Sequence, residues 1–118
     1  MKMDLSSHQI HLVVCPVDMR SGFRSLSLIA EACLGIDVSQ GNDCVVFVSS
    51  RRTVCKIIWS DEKGNSLLTR RLSGGRFAKL LARAEDADAV PISVNELMTF
   101  LDCEKLQTVR SGFRQGLT

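Results

Sequence analysis

Apolar residues recur along this chain in two different rhythms. Met19, Phe23, Leu26, Ala30 and Cys33 follow one another at steps of four, three, four and three, which predicts one face of a helix from Met19 to about Cys33. Asp18 stands where an N-cap would accept orphan amide hydrogens, and Gly35 where a left-handed residue would end the helix. Beyond it the rhythm changes. Ser39 to Asp43 is turn chemistry, and Cys44-Val45-Val46-Phe47-Val48 is a short, continuous β-branched run that predicts a buried central strand. Val54 to Trp59 alternates, with Cys55, Ile57 and Trp59 on one face and Val54, Lys56 and Ile58 on the other. Asp61 to Asn65 is a hairpin loop, and Ser66 to Leu72 its partner strand.

The flanks are shorter. Gln9 to Val14 predicts a strand, stopped by Cys15-Pro16-Val17-Asp18. Gly74-Gly75 breaks the chain after Leu72. Arg76 to Ala84 predicts a helix with Phe77, Leu80, Leu81 and Ala84 on one side, and Glu85 to Ala89 an acidic loop. Ser93 and Glu96 form an S-x-x-E capping box that opens a short helix carrying Leu97, Phe100 and Leu101. The tail from Lys105 has little periodicity. Together these elements predict a single α+β domain over residues 1–104. A small antiparallel meander of three or four strands packs against an N-terminal helix, with one or two short C-terminal helices and a flexible tail over 105–118. The spacing argues against a βαβ parallel fold, and no G-x-G-x-x-G or Walker loop occurs.

Composition narrows the function. The chain has 118 residues, 45% of them hydrophobic, enough for one core. Five Phe, one Trp and no Tyr leave little for a base-stacking platform. No run of about 18 apolar residues exists, and the first residues lack an apolar signal region, so a cytoplasmic protein without membrane contact is expected. Five cysteines make an odd set with no C-x-x-C pair; they read as small buried hydrophobes in a reducing compartment. His8 and His11 lie near Cys15 but match no familiar zinc spacing, so neither a metal nor a cofactor is expected.

Charge is sorted along the chain. Residues 51–83 hold nine Lys or Arg and two acids, residues 1–50 three against five, and residues 84–118 three against six. The net charges of +7, −2 and −3 sum to the overall +2. A cationic middle third points to a surface that meets phosphate, since neutralised phosphates release counterions. A solvated face is the plainer explanation.

One pentapeptide, Arg20-Ser21-Gly22-Phe23-Arg24, recurs as Arg110-Ser111-Gly112-Phe113-Arg114. The separation fits no repeat architecture, so coincidence stands beside a second docking element. In a helix the first copy is locally unfavourable. Arg20 and Arg24 would be like charges one turn apart, repelling by about 0.2–0.5 kcal/mol. They would sit where the helix dipole disfavours cations. Gly22 would cost up to about 1 kcal/mol against Ala. An anion held between the two guanidinium groups would reverse the repulsion; neutralisation by Asp18 would also remove it.

Cys15-Pro16-Val17-Asp18-Met19-Arg20-Ser21-Gly22-Phe23 resembles the P-T-D-M-R-K-G-F segment of a TnpB-type protein, the second-reading-frame product of the IS-sixty-six insertion-sequence family. The likeness continues through Val45, Phe47, Arg51, Arg52, Lys56, Ile57 and Trp59, then Asp61 and Gly64. It goes on through Arg70-Arg71-Leu72-Ser73-Gly74-Gly75-Arg76-Phe77 to Ser93–Leu101. It spans about residues 9 to 103 in one order. Val17 replaces a usual Thr, Ser21 a usual Lys, Arg24 a common Asp, and Ser73-Gly74 a common Glu-x pair. The resemblance implies an accessory factor for transposition that works beside a larger, catalytic transposase.

Two readings follow. In the first, the chain is a non-catalytic DNA-binding module that contacts duplex DNA at insertion-sequence ends. Its candidates are Arg20, Arg24, Arg51, Arg52, Lys56, Arg70, Arg71, Arg76 and Lys79, in contacts that position a protein without reading bases. With a turn at 61–65, Lys56 is expected opposite Arg70, an unfavourable pair without an anion, and Arg71 on the other face. In the second, the chain docks on the partner transposase or self-associates through Cys44–Val48 and an exposed sheet edge. Asp18, Asp61 and Glu96 as a catalytic carboxylate set would make an enzyme, but each has a simpler local role, and no Cys-His, Ser-His or H-E-x-x-H arrangement occurs.

Overall fold

The structure is a computed structural model that describes residues 4–13, 17–78 and 88–103. The elements are β1 (Gln9–Val13), α1 (Phe23–Leu34), a 3-10 turn (Val38–Gln40), β2 (Asp43–Val48), β3 (Val54–Asp61), β4 (Gly64–Arg71), β5 (Ala89–Ile92) and α2 (Val94–Leu101). The class is α+β, as expected, but the sheet has five strands in the order β4-β3-β2-β1-β5. It is mixed rather than a pure meander. β2, β3 and β4 pair antiparallel, whereas β1 pairs parallel to β2, Ile10 opposite Cys44 and Leu12 opposite Val46. The parallel pair corrects the expectation that no βαβ unit is present. Parallel neighbours need a crossover of a dozen or more residues, and α1 supplies it. β5, which alternation did not predict, pairs antiparallel to β1. With four residues and a proline it is too short to announce itself.

Each sheet face carries one helix. Val13, Val45, Phe47 and Ile58 pack under Leu26 and Ala30 of α1. Ile10, Leu12, Val46, Ile57 and Trp59 pack under Leu97, Phe100 and Leu101 of α2, together with Phe77. The alternation of β3 is thus as expected: Cys55, Ile57 and Trp59 face α2, while Ile58 faces α1. β2 is covered on both faces, and Cys44, Val45, Val46 and Phe47 are 0% exposed. That removes Cys44–Val48 as a docking surface, because a strand closed between two helices and two neighbours has nothing left to offer.

The start of α1 also departs from expectation. Its N-cap is Gly22, with no side-chain cap, and helical bonding begins with Leu26 N–H donating to Gly22 O. Asp18 is committed earlier. Its carboxylate accepts the Arg20 backbone N–H at 2.9 Å, and its carbonyl accepts the Ser21 N–H at 3.1 Å. That closed turn takes Met19 to Ser21 out of the helix. Gly35 ends α1 as expected, at φ +68°, its N–H donating to Glu31 O. Cys33 falls on the exposed side, as does Cys103, so only Cys44 and Cys55 behave as buried hydrophobes among the described cysteines.

Ser93 and Glu96 form the anticipated capping box of α2. The helix expected over 76–84 is not seen where it can be checked: residues 76–78 are irregular, and the remainder lies outside the described residues. Phe77 is carried instead into the α2-side core, where its ring stacks on Phe100 with centroids 5.0 Å apart. Outside the described residues lie also Cys15, Lys79 and the second copy of the pentapeptide.

Candidate functional site

β3 leaves the turn at residues 49–53 and β4 returns to it. In the observed register Val54 lies opposite Arg71 and Cys55 opposite Arg70. The pairing then continues past the strands: Leu72 N–H donates to Thr53 O, and Phe77 N–H to Arg52 O. One corner of the sheet therefore gathers the turn with Arg51 and Arg52, the end of β4 with Arg70 and Arg71, and the segment bearing Arg76. The start of α1 reaches the same corner. Lys56 Nζ donates to Ser21 O at 2.8 Å, tying the Arg20–Gly22 segment to β3. Arg20 and Arg24 are thus carried to the corner on the α1 side.

The expected opposition of Lys56 and Arg70 is off by one residue. Lys56 lies opposite Thr69, so Lys56 and Arg70 point to opposite faces, and Arg70 and Arg71 also part. The closing pair of the hairpin, Asp61 and Gly64, sets this register. It leaves a two-residue loop, in which Asp61 accepts the Lys63 N–H at 2.9 Å.

Two of the nine candidates have structural duties. Lys56 is half-buried under the α1 start. Arg52 has a left-handed φ of +59°, donates through Nη1 to Phe77 O at 3.3 Å, and receives the Phe77 N–H on its own carbonyl. It clamps the 72–77 segment to the turn. A third candidate, Arg20, is neutralised: its Nη2 lies 2.9 Å from Asp18 Oδ2. That pairing holds the Asp18 carboxyl down at about 2, chiefly through the hydrogen bond from the Arg20 side chain, and pushes the Arg20 guanidinium up. The like-charge repulsion expected between Arg20 and Arg24 does not arise, because Arg20 precedes the helix. A Cβ on Gly22 would meet nothing within 4 Å, so no close backbone approach requires glycine there. Arg24, Arg51, Arg70, Arg71 and Arg76 are exposed, and among the described residues none forms an ion pair. Lys79 lies outside the described residues.

Sequence reasoning missed Ser49. Its Oγ accepts the N–H groups of Thr53 at 3.2 Å and Val54 at 3.1 Å, so it shapes the turn that presents Arg51. The signal was there in the serine pair before the arginines, since short hydroxyl side chains close turns on nearby backbone.

The opposite end of the sheet is acidic. The hairpin, the start of β2 and the 3-10 turn bring Asp61, Glu62, Asp43 and Asp37 there, with Lys63 the basic exception. An open cleft of about 1030 Å³ lies at this end, lined by Asp4, His8, Gln40, Trp59, Asp61 and Glu62 among others. Its acids make it a poor seat for an anion. Trp59 is only 2% exposed, so its indole offers no stacking surface.

The histidines are separately engaged. His8 Nε2 donates to Ser60 O at 2.8 Å, and His11 Nε2 lies 2.8 Å from Asp43 Oδ1. Among the described residues no three His, Cys, Asp or Glu side chains group as a metal site. Asp18, Asp61 and Glu96 serve a turn, a hairpin and a capping box. No helix among the described residues is long and apolar enough to cross a membrane.

Comparison with known proteins places this architecture. No solved structure matches the chain. A protein of Sinorhizobium fredii (strain NGR234), described only as uncharacterized protein y4hO, is 35% identical over 85 residues, 72% of this chain and 73% of its own length. The family model described as IS66 Orf2 like protein matches residues 8–111, a span that runs beyond residue 103 into the tail. With most of its length inside that match, the chain belongs to the IS66 Orf2-like family of insertion-sequence accessory proteins.

Proposed function

We propose that this accessory protein acts in transposition as a non-catalytic DNA-binding module, meeting the duplex backbone at insertion-sequence ends through its arginine corner. The observation that carries the reading is the β3–β4 register. It brings exposed Arg70 and Arg71 to the same corner as exposed Arg51 and Arg76, with Asp61, Glu62, Asp43 and Asp37 at the far end of the sheet. A molecule polarised in this way orients toward a polyanion before contact. Arg24, at the start of α1, extends the surface. Arg52 and Lys56 position it, and Arg20 is left a minor part. Among the described residues no exposed stacking aromatic or base-reading helix accompanies these side chains, so contacts to phosphate without strong sequence preference are expected. A single folded unit over residues 1–104 belongs to the same proposal.

The test is a salt series with a short duplex, read by fluorescence anisotropy. Affinity falls with log salt at a slope of roughly −0.9 per phosphate contact. Arg51→Ala combined with Arg76→Ala, which leaves Arg52 and its clamp intact, should flatten that slope by about 2. A slope identical to wild type removes the reading. A second reading, docking on the partner transposase, draws support from Val94 and Met98. They lie one turn apart on α2 and are 40% and 38% exposed. Binding of that kind should barely respond to salt.

A further inference from the structure

The two edges of the sheet are unlike. β5 has four residues and contains Pro91, which has no N–H to donate. β4 has eight residues, all partly or fully exposed, and nothing among the described residues covers its outer side. Because Leu72 N–H points to Thr53 O, the alternation of an antiparallel ladder turns the N–H and C=O of Arg71, Thr69, Leu67 and Asn65 outward. A long edge of unpaired backbone groups, with Leu67 at its middle 37% exposed, is a template for another strand.

We infer that the strand it takes is β4 of a second copy of this chain, paired antiparallel about a two-fold axis normal to the sheet. The charge along the edge selects this occupant. β4 begins beside Asp61 and Glu62 and ends in Arg70 and Arg71. Antiparallel self-pairing lays the arginines of each copy beside the hairpin of the other, where Asp61 and Glu62 outweigh Lys63, whereas parallel pairing would set arginine against arginine. A two-fold axis makes the contact self-complementary and closed, so a dimer forms and not a fibre. Residues of like parity then face each other, which keeps both copies of α1 on one side of a continuous ten-stranded sheet and brings the Leu67 side chains together. Arg71 ends the paired edge and also belongs to the arginine corner, but Arg51 and Arg76 lie on the connecting segments, so their substitution tests DNA binding without touching the pairing.

Sedimentation equilibrium of the full chain across the micromolar range is the test. The wild type should sediment at twice the 13.0 kDa chain mass. Thr69→Pro removes an outward N–H and no bond to β3, so it should raise the dimer Kd by at least about tenfold with unchanged far-UV circular dichroism. If that variant does not fold, Leu67→Lys puts a charge at the junction and should give the same loss. Glu62→Arg and Arg71→Glu should each weaken the dimer, and the two together should restore it. A wild type that stays monomeric, its edge left for a strand of some other protein, overturns the inference. So does a folded Thr69→Pro variant that remains dimeric. Neither result depends on Arg51 or Arg76, whose substitution tests the DNA reading.

Discussion

Arg52 combines a backbone role and a side-chain role that pull against each other. At φ +59° its Cβ crowds the following carbonyl, a conformation that costs a non-glycine residue roughly 1–2 kcal/mol. The return is a carbonyl that accepts the Phe77 N–H and a guanidinium that reaches Phe77 O. Replacement by Ala keeps the strain and loses the side-chain bond; replacement by Gly loses both. Arg52→Gly should therefore be more stable than Arg52→Ala by about 1 kcal/mol in urea denaturation. The reverse order would mean that the turn is not strained.

Asp18 gives a pH signature at the same scale. Its carboxyl falls from 3.8 to about 2 on folding, first because the Arg20 side chain donates to it and then because the Arg20 backbone does. A carboxyl lowered by folding stabilises the folded chain above its unfolded value and stops doing so as pH drops to the folded one. The contribution is full at neutral pH and disappears between pH 3.8 and about 2. The pair is exposed, so salt screens it and the effect is small. Asp18→Asn should flatten the acid limb of the stability curve at low salt and, by releasing Arg20 at the corner, raise neutral-pH affinity for DNA slightly.

Among the elements, the 72–78 segment matters beyond its lack of regular structure. Two glycines take the chain off β4, and Phe77 anchors it, 0% exposed, against Phe100 of α2. The anchor holds Arg76 at the corner and closes one end of the α2-side core. Phe77→Ala should cost about 3–5 kcal/mol, measured by chemical denaturation, from lost burial and the cavity left behind. A cost below about 1 kcal/mol would mean that the segment does not hold α2. Phe77, Leu80 and Leu81 satisfy helical spacing, which predicts a helix from Arg76, but the described part of that span, residues 76–78, is irregular. There the contact of Phe77 with Phe100 makes an anchor and not a first helical turn. The start of α1 was misread for a related reason: Asp18 is a fit cap by type, but its carboxylate closes the turn before the helix.

For the whole molecule the consequence is electrical polarity. The +7 of residues 51–83 is a property of the chain, but Lys63 from that stretch lies at the acidic end, while Arg24 from the acidic first third lies at the basic one. Removing an acid far from the corner should not change the number of phosphates contacted. Glu62→Gln is expected to shift DNA affinity slightly at low salt and to leave the salt slope within about one contact of wild type. A slope change as large as that of the Arg51 and Arg76 pair would place DNA along the entire β4 edge and not at the corner.

Local interactions were legible in the order of residues. The alternation of β3, the buried run of β2, the hairpin at Asp61–Gly64, the left-handed Gly35 and the Ser93–Glu96 capping box all depend on neighbours within a few positions. The family likeness was legible too, since it rests on residues in register. The tertiary structure alone decided that β1 runs parallel to β2, that β5 completes one edge, and that β4 stays open at the other. It alone also decided that Arg52 is spent on Phe77 while Arg51, Arg70, Arg71 and Arg76 remain exposed. Those outcomes turn on contacts between residues 25 to 35 or more positions apart, such as Lys56 with Ser21 or Arg52 with Phe77, and no periodicity in a single stretch records them.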